Sequence, residues 1–113
     1  MKDEKKALKC FKKAADEGKI VQAIQMVGSF YQKGIGTEQN YEKAFEYFKR
    51  GAALNHPNSY DSLGFLYLNG QHVEKDLDKA LENFDKAFEL GHPPSKKMID
   101  FINKKKNQDD LFL

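Results

Sequence analysis

Apolar residues recur at helical spacing along most of this chain, and glycine or proline separates the runs. The first run carries Ala7, Phe11, Ala14 and Ala15, which predicts a helix over about 2–17 with Gly18 as its C-cap. Ala23, Val27, Phe30 and Tyr31 predict a second over about 20–33, stopped by Gly34. Ala44, Phe48 and Ala52 predict a third over about 41–54, ended by Asn55-His56-Pro57. Pro57 suits the first turn of a fourth helix, which reaches Asn69 and is closed by Gly70. A fifth over about 76–90 takes Asp76 as N-cap and ends at Gly91. The sixth begins at Pro93-Pro94 and carries Met98, Ile99 and Ile102 to about 106. No segment shows clean period-two alternation between turn residues, so no sheet is expected.

The runs repeat one another. Lys6-Ala7 with Phe11, Lys43-Ala44 with Phe48, and Lys79-Ala80 with Phe84 share one pattern. Ala7 to Ala44 is 37 positions, and Ala44 to Ala80 is 36. A second pattern lies between them: Val27-Gly28 with Tyr31 and Gly34, then Leu63-Gly64 with Tyr67 and Gly70. A fixed period of this length marks a solenoid, whose units bury their apolar faces only by stacking. Gly28 and Gly64 fall inside helices, where glycine costs roughly 1 kcal/mol relative to alanine. A cost repeated at one phase needs compensation. The expected compensation is close approach of the two helix backbones within a unit, with Tyr31, Tyr67, Phe48 and Phe84 filling the crossing.

These residues resemble the Sel-one-like repeat family, relatives of tetratricopeptide repeats with a longer loop inside each unit. The first full unit reads Ala23, Val27-Gly28, Tyr31, Gly34-Ile35-Gly36, Lys43-Ala44, Phe48 and Gly51-Ala52. The second reads Ser59, Leu63-Gly64, Tyr67, Gly70-Gln71-His72-Val73, Lys79-Ala80, Phe84 and Ala87-Phe88. The resemblance covers residues 1 to about 106. It implies an all-α, right-handed superhelix of antiparallel helix pairs, used for protein–protein contact rather than for catalysis. The units it implies are a partial one at 1–19, full ones at about 20–56 and 57–92, a capping helix at 93–106 and a flexible tail at 107–113. Asp100 stands where Gly28 and Gly64 stand, and Lys96 where Ile24 and Tyr60 stand, as befits a last helix with nothing crossing it. At the other end, Lys6 to Gly18 is a second helix without a first before it. Its face around Leu8, Phe11 and Ala15 is expected to lie bare, which suggests self-association there.

Composition narrows the function. One domain fits 113 residues. Nineteen Lys and Arg against 17 Asp and Glu give a net charge of +2 with the signs mixed, and Arg50 is the only arginine. That balance argues against a nucleic-acid partner. No apolar run is long enough to span a membrane, and the charged N-terminus lacks a signal core, so a cytoplasmic setting is expected. The single cysteine, Cys10, forms no internal disulfide and is read as an ordinary half-exposed thiol. His56 and His92 occupy equivalent positions before prolines and are read as helix-end cations favoured by the C-terminal dipole. His72 replaces the second loop glycine, to pack locally or touch a ligand. No His or Cys sits near it at metal-ligand spacing, so neither metal nor cofactor is expected.

The binding reading rests on tetratricopeptide-like geometry, in which first helices line a concave groove. With Leu63, Gly64 and Tyr67 turned inward, Asp61, Phe65, Leu68 and Asn69 face that groove. Gln25, Ser29, Gln32 and Lys33 do so one unit earlier, and Lys97, Phe101, Lys104 and Lys105 in the last helix. The groove grades from amide-rich through apolar to basic. Phe65 and Phe101 are candidate anchors for a peptide, or else pack against each other or the tail. The lysines suit an acidic segment or a carboxylate, or form a solvated helix end. The tail Asp109-Asp110-Leu111-Phe112-Leu113 resembles an acidic–apolar docking motif. The expected function is a protein-interaction adaptor, with a toxin-neutralising or regulatory partner as a special case. Cysteine-rich relatives linked to β-lactam binding or hydrolysis supply an alternative, but they carry paired cysteines in each repeat.

Overall fold

In the computed structural model, which describes residues 2–111, every described element is a helix: α1 (Lys2–Gly18), α2 (Val21–Lys33), α3 (Tyr41–Ala53), α4 (Pro57–Asn69), α5 (Leu77–Glu89) and α6 (Ser95–Leu111). Each helix packs on the next one in the chain. Hydrogen bonds also tie α2 to α4 and α4 to α6, so the first helices of the units lie side by side in one layer. Arg50 and Tyr47 of α3 reach Asp16 of α1, which aligns second helices in the other layer. The radius of gyration is 15.3 Å, against about 13 Å for a compact domain of this length. The excess is what one-dimensional stacking produces.

Local chemistry sets the helix ends. Asn40 and Asp76 cap α3 and α5 by accepting from the backbone N–H of Lys43 and Lys79, both at 3.0 Å. Gly34 and Gly70 close α2 and α4 with φ of 69° and 64°. The stop of α1 differs from expectation. Gly18 is its last helical residue, and the left-handed position is Lys19, at φ 51°. Asn55 and Gly91 hold the same place one and two units on, at 59° and 99°. The turn requires a positive φ, and only the last unit meets it with glycine. α6 continues past the boundary at 106, because no Gly or Pro follows Pro94 to stop it. Residues 112–113 of the expected tail lie outside the described residues.

The core explains the helical glycines. A Cβ at Gly28 would lie 2.5 Å from the ring of Phe48, and one at Gly64 would lie 2.8 Å from the ring of Phe84. Both rings are completely buried. The compensation is therefore a phenyl ring laid against bare backbone, and not the backbone-to-backbone approach expected. Ala44 and Ala80, one turn before those rings, are equally buried. The N-terminal face is likewise not bare. Leu8 and Ala15 are buried in the main core cluster, and Phe11 meets Phe30 of α2 edge-on at 5.7 Å. Of the apolar residues expected to lie bare, Leu8 and Ala15 are buried and Phe11 is half-buried against Phe30 of α2.

Candidate interaction surface

The first-helix layer is held in register by a repeated polar contact. Ser59 donates to Gln25 Oε1 at 2.8 Å, and Ser95 donates to Asp61 at 2.7 Å. Each pair spans 34 positions, and both serines are completely buried. Gln25 also donates to Ser62 at 3.0 Å. Gln25 and Asp61, expected in the groove, therefore spend their polar atoms joining one unit to the next. Ser59 enters the repeat pattern only as its small residue and Ser95 does not enter it; neither is assigned a bond there. Their signal was the small residue they share with Ala23 at 36-residue spacing, which marks burial but not a hydrogen bond.

The aromatic pair separates. Phe65 is half-buried and meets Phe84 edge-on at 5.0 Å, and Leu68 packs on the same cluster. Phe101, one unit later, is 50% exposed. The apolar side of α6 is already satisfied by Ile99 and Ile102, packed with Phe84 and Ala80 of α5. Lys105 Nζ stands 5.8 Å from the Phe101 ring centroid. Phe101, Lys104, Lys105 and Gln108 line a shallow cleft of about 300 Å³. Lys97 and Lys104 are exposed. Of the remaining expected residues, Lys33 and Asn69 are exposed, and Ser29 and Gln32 are half-buried. The structure thus gathers Phe101, Lys104 and Lys105 into one cleft, and it brings neither Phe65 nor Leu68 into that cleft.

The histidines read differently in three dimensions. His56 precedes α4 as its N-cap residue, at the positive end of a helix dipole and not the negative one. Burial, and then the nearby His92, hold its pKa below the usual 6.5. The cation expected there is disfavoured. His92 Nε2 lies 3.6 Å from Asp61. His72 adopts φ 68° in the loop position that Gly36 fills one unit earlier, and its ring lies 5.3 Å from Phe45. On the second-helix layer, the Arg50 guanidinium bonds Asp16 at 2.8 Å and holds that carboxyl below its ordinary range. Cys10 is exposed. Among the described residues, no group of His, Cys, Asp and Glu is arranged to hold a metal ion, and no helix is long and apolar enough to cross a membrane.

The Sel1 repeat pattern matches residues 1–19, 21–56 and 57–92. No curated protein matches the sequence. Solved structures do. A Sel1 repeat protein from Oxalobacter formigenes is 32% identical over 87% of this chain and 40% of its own, with a TM-score of 0.80. The Escherichia coli protein c5321, a protective antigen of uropathogenic strains displaying an SLR fold, is 25% identical over 88% of this chain and 21% of its own, with a TM-score of 0.82. Cysteine-rich protein B of Helicobacter pylori is 25% identical over 80% of this chain and 68% of its own, with a TM-score of 0.72. The chain thus spans less than half the length of the first two.

Proposed function

The chain belongs to the Sel1 repeat family, and from that premise we propose that it is a non-enzymatic interaction module whose first-helix face receives a protein or peptide. Sel1 repeat proteins are generally protein-interaction modules. The observation that carries the reading here is Phe101. A large ring stays half exposed on a helix whose core-facing side is already packed. Exposed aromatics of this kind are enriched where partners bind. The Ser59–Gln25 and Ser95–Asp61 bonds support the reading in a second way. They fix the first helices relative to one another, so a partner meets a preorganised surface.

The test is capture on the immobilised chain, with identification of what elutes. A first-helix variant, Lys33→Glu with Asn69→Arg and Phe101→Ala, should lose the captured protein. A second-helix variant, Lys49→Glu with Asp85→Lys, should keep it. Loss in the second variant alone would place binding on the opposite layer and overturn the reading.

A further inference from the structure

We propose that the α6 cleft is a docking site for an acidic peptide segment carrying a bulky apolar residue. The proposal rests on the interaction-module reading and names the partner chemistry that one part of the surface fits. The apolar component is Phe101, whose open ring forms one wall of the cleft. The aliphatic stems of Lys104 and Lys105 line it further, as long charged side chains do when their heads reach water. The charged component is the uncompensated lysines. Lys96 is paired with Asp100 at 3.0 Å, and Lys106 is bound to Asp78. Lys97, Lys104 and Lys105 pair with no carboxylate among the described residues. The two ammonium groups at the cleft, Lys104 and Lys105, with exposed Lys97 one turn before Phe101 on the same helix, complement a segment in which Asp or Glu flank Leu, Phe or a similar side chain.

Two observations bear on the alternatives. Phe65, at the phase of Phe101, packs on Phe84 of α5, so the Phe101 face is where a following second helix would lie; Asp100, standing at the phase of Gly28 and Gly64, offers such a helix no bare backbone for a ring like Phe48 or Phe84. A nucleic-acid strand would also suit lysines beside an aromatic ring. The patch is too small for one. Asp100 precedes it in the sequence, Asp109-Asp110 follow it, and the whole chain carries only +2.

The experiment is fluorescence anisotropy with a labelled short peptide, a Leu-Phe pair flanked by aspartates, titrated with the chain. Saturable binding that weakens about 30-fold in Phe101→Ala is expected, the size of a hot-spot loss. Lys104→Glu with Lys105→Glu should do the same, and binding should fall steeply from about 0.05 to about 0.5 M salt as screening tightens. Phe88→Ser and Lys49→Glu are matched controls. Phe88 is an equally open ring at 45% exposure, but on α5, and both should bind as wild type. Far-ultraviolet circular dichroism confirms that the exposed-site variants remain folded. The proposal is overturned by absence of binding at millimolar protein, or by binding that survives the Phe101 and lysine changes. It is also overturned if an oligothymidylate of similar charge binds tighter than the peptide. A dimer in sedimentation equilibrium that Phe101→Ala dissolves, with no peptide binding, would make a second copy the occupant. If the peptide fails while Lys33→Glu with Asn69→Arg, Phe101 being left intact, still loses capture, the module reading stands and this site falls.

Discussion

The ring of Phe84 occupies the space that a side chain at Gly64 would need: a Cβ there would lie 2.8 Å from it. Phe84 is completely buried and already meets Phe65 edge-on, so it has nowhere to move. Gly64→Leu should therefore destabilise by about 3 kcal/mol or more, the upper range for overpacked cores. Asp100→Leu, at the same phase of α6, replaces an exposed side chain whose ion pair with Lys96 is open to water. It should change stability by less than about 1 kcal/mol. Chemical denaturation of both variants checks the contrast. Equal losses would refute the phase that equates Asp100 with Gly64.

Three phenylalanines should grade in the same assay. Phe84→Ala removes a fully buried ring and should cost about 3–5 kcal/mol. Phe65→Ala removes a half-buried ring and its edge-on partner contact, and should cost about 1–2 kcal/mol. Phe101→Ala removes an open ring and should change stability by less than about 0.5 kcal/mol. A stability loss at Phe101 matching that at Phe65 would make it a packing residue and remove the anchor.

That grading separates what local spacing encodes from what only tertiary packing decides. The number of helices, the spans of α2 to α5, the Asp76 cap and the small-residue-to-Phe pattern are legible, because each follows from local spacing or from one residue's backbone preference; the end of α6 at Leu111 is not. Phe65 and Phe101 share a phase, and phase assigns a face of the helix but not what lies opposite it. Phe65 has α5 beside it, and Phe101 has no described helix in that place. Gln25 and Asp61 carry contacts that their phase does not reveal, for a related reason. Polar residues at a groove phase look like ligand contacts until the buried serines of the next unit are seen to bond them. His56 was misplaced because a residue between two helices ends one and begins the other, and only the geometry says which dipole it faces.

His56 also gives a pH dependence. Burial holds its folded-state pKa below 6.5, while the unfolded chain retains an ordinary value of about 6.5. Below that value the unfolded state binds more protons, so stability declines as pH falls. The groups facing it are His92, whose charge opposes protonation, and beyond that residue Asp61, which His92 approaches at 3.6 Å. The decline should begin near pH 6.5 and continue until His56 is charged in the folded protein as well. His56→Gln should flatten the denaturation midpoint between about pH 7 and 5 relative to wild type. An unchanged slope in that variant would assign the decline to other groups.

Gly51 and Ser59 should prove energetically coupled. A Cβ at Gly51 would overlap Ser59 Oγ, which is aimed at Gln25. Gly51→Ala should therefore force the hydroxyl from its bond and cost about 2–3 kcal/mol, combining steric strain with a lost buried hydrogen bond. Ser59→Ala alone leaves the Gln25 amide oxygen short of a donor and should cost about 1 kcal/mol, because half-buried Gln25 can turn to water. In the double variant the hydroxyl is gone before the new methyl group arrives. Its loss should fall short of the sum of the single losses by about 1 kcal/mol or more, within the range for residues in contact. The third unit shows that some methyl group can be accommodated there, since Ala87 and Ser95 hold the equivalent positions and both are fully buried. Relief should be partial, because the new Cβ would still lie 2.9 Å from the Ser59 Cβ. Strict additivity across the four proteins would mean that Gly51 is kept small by another neighbour, with Ile24 the next nearest at 3.8 Å.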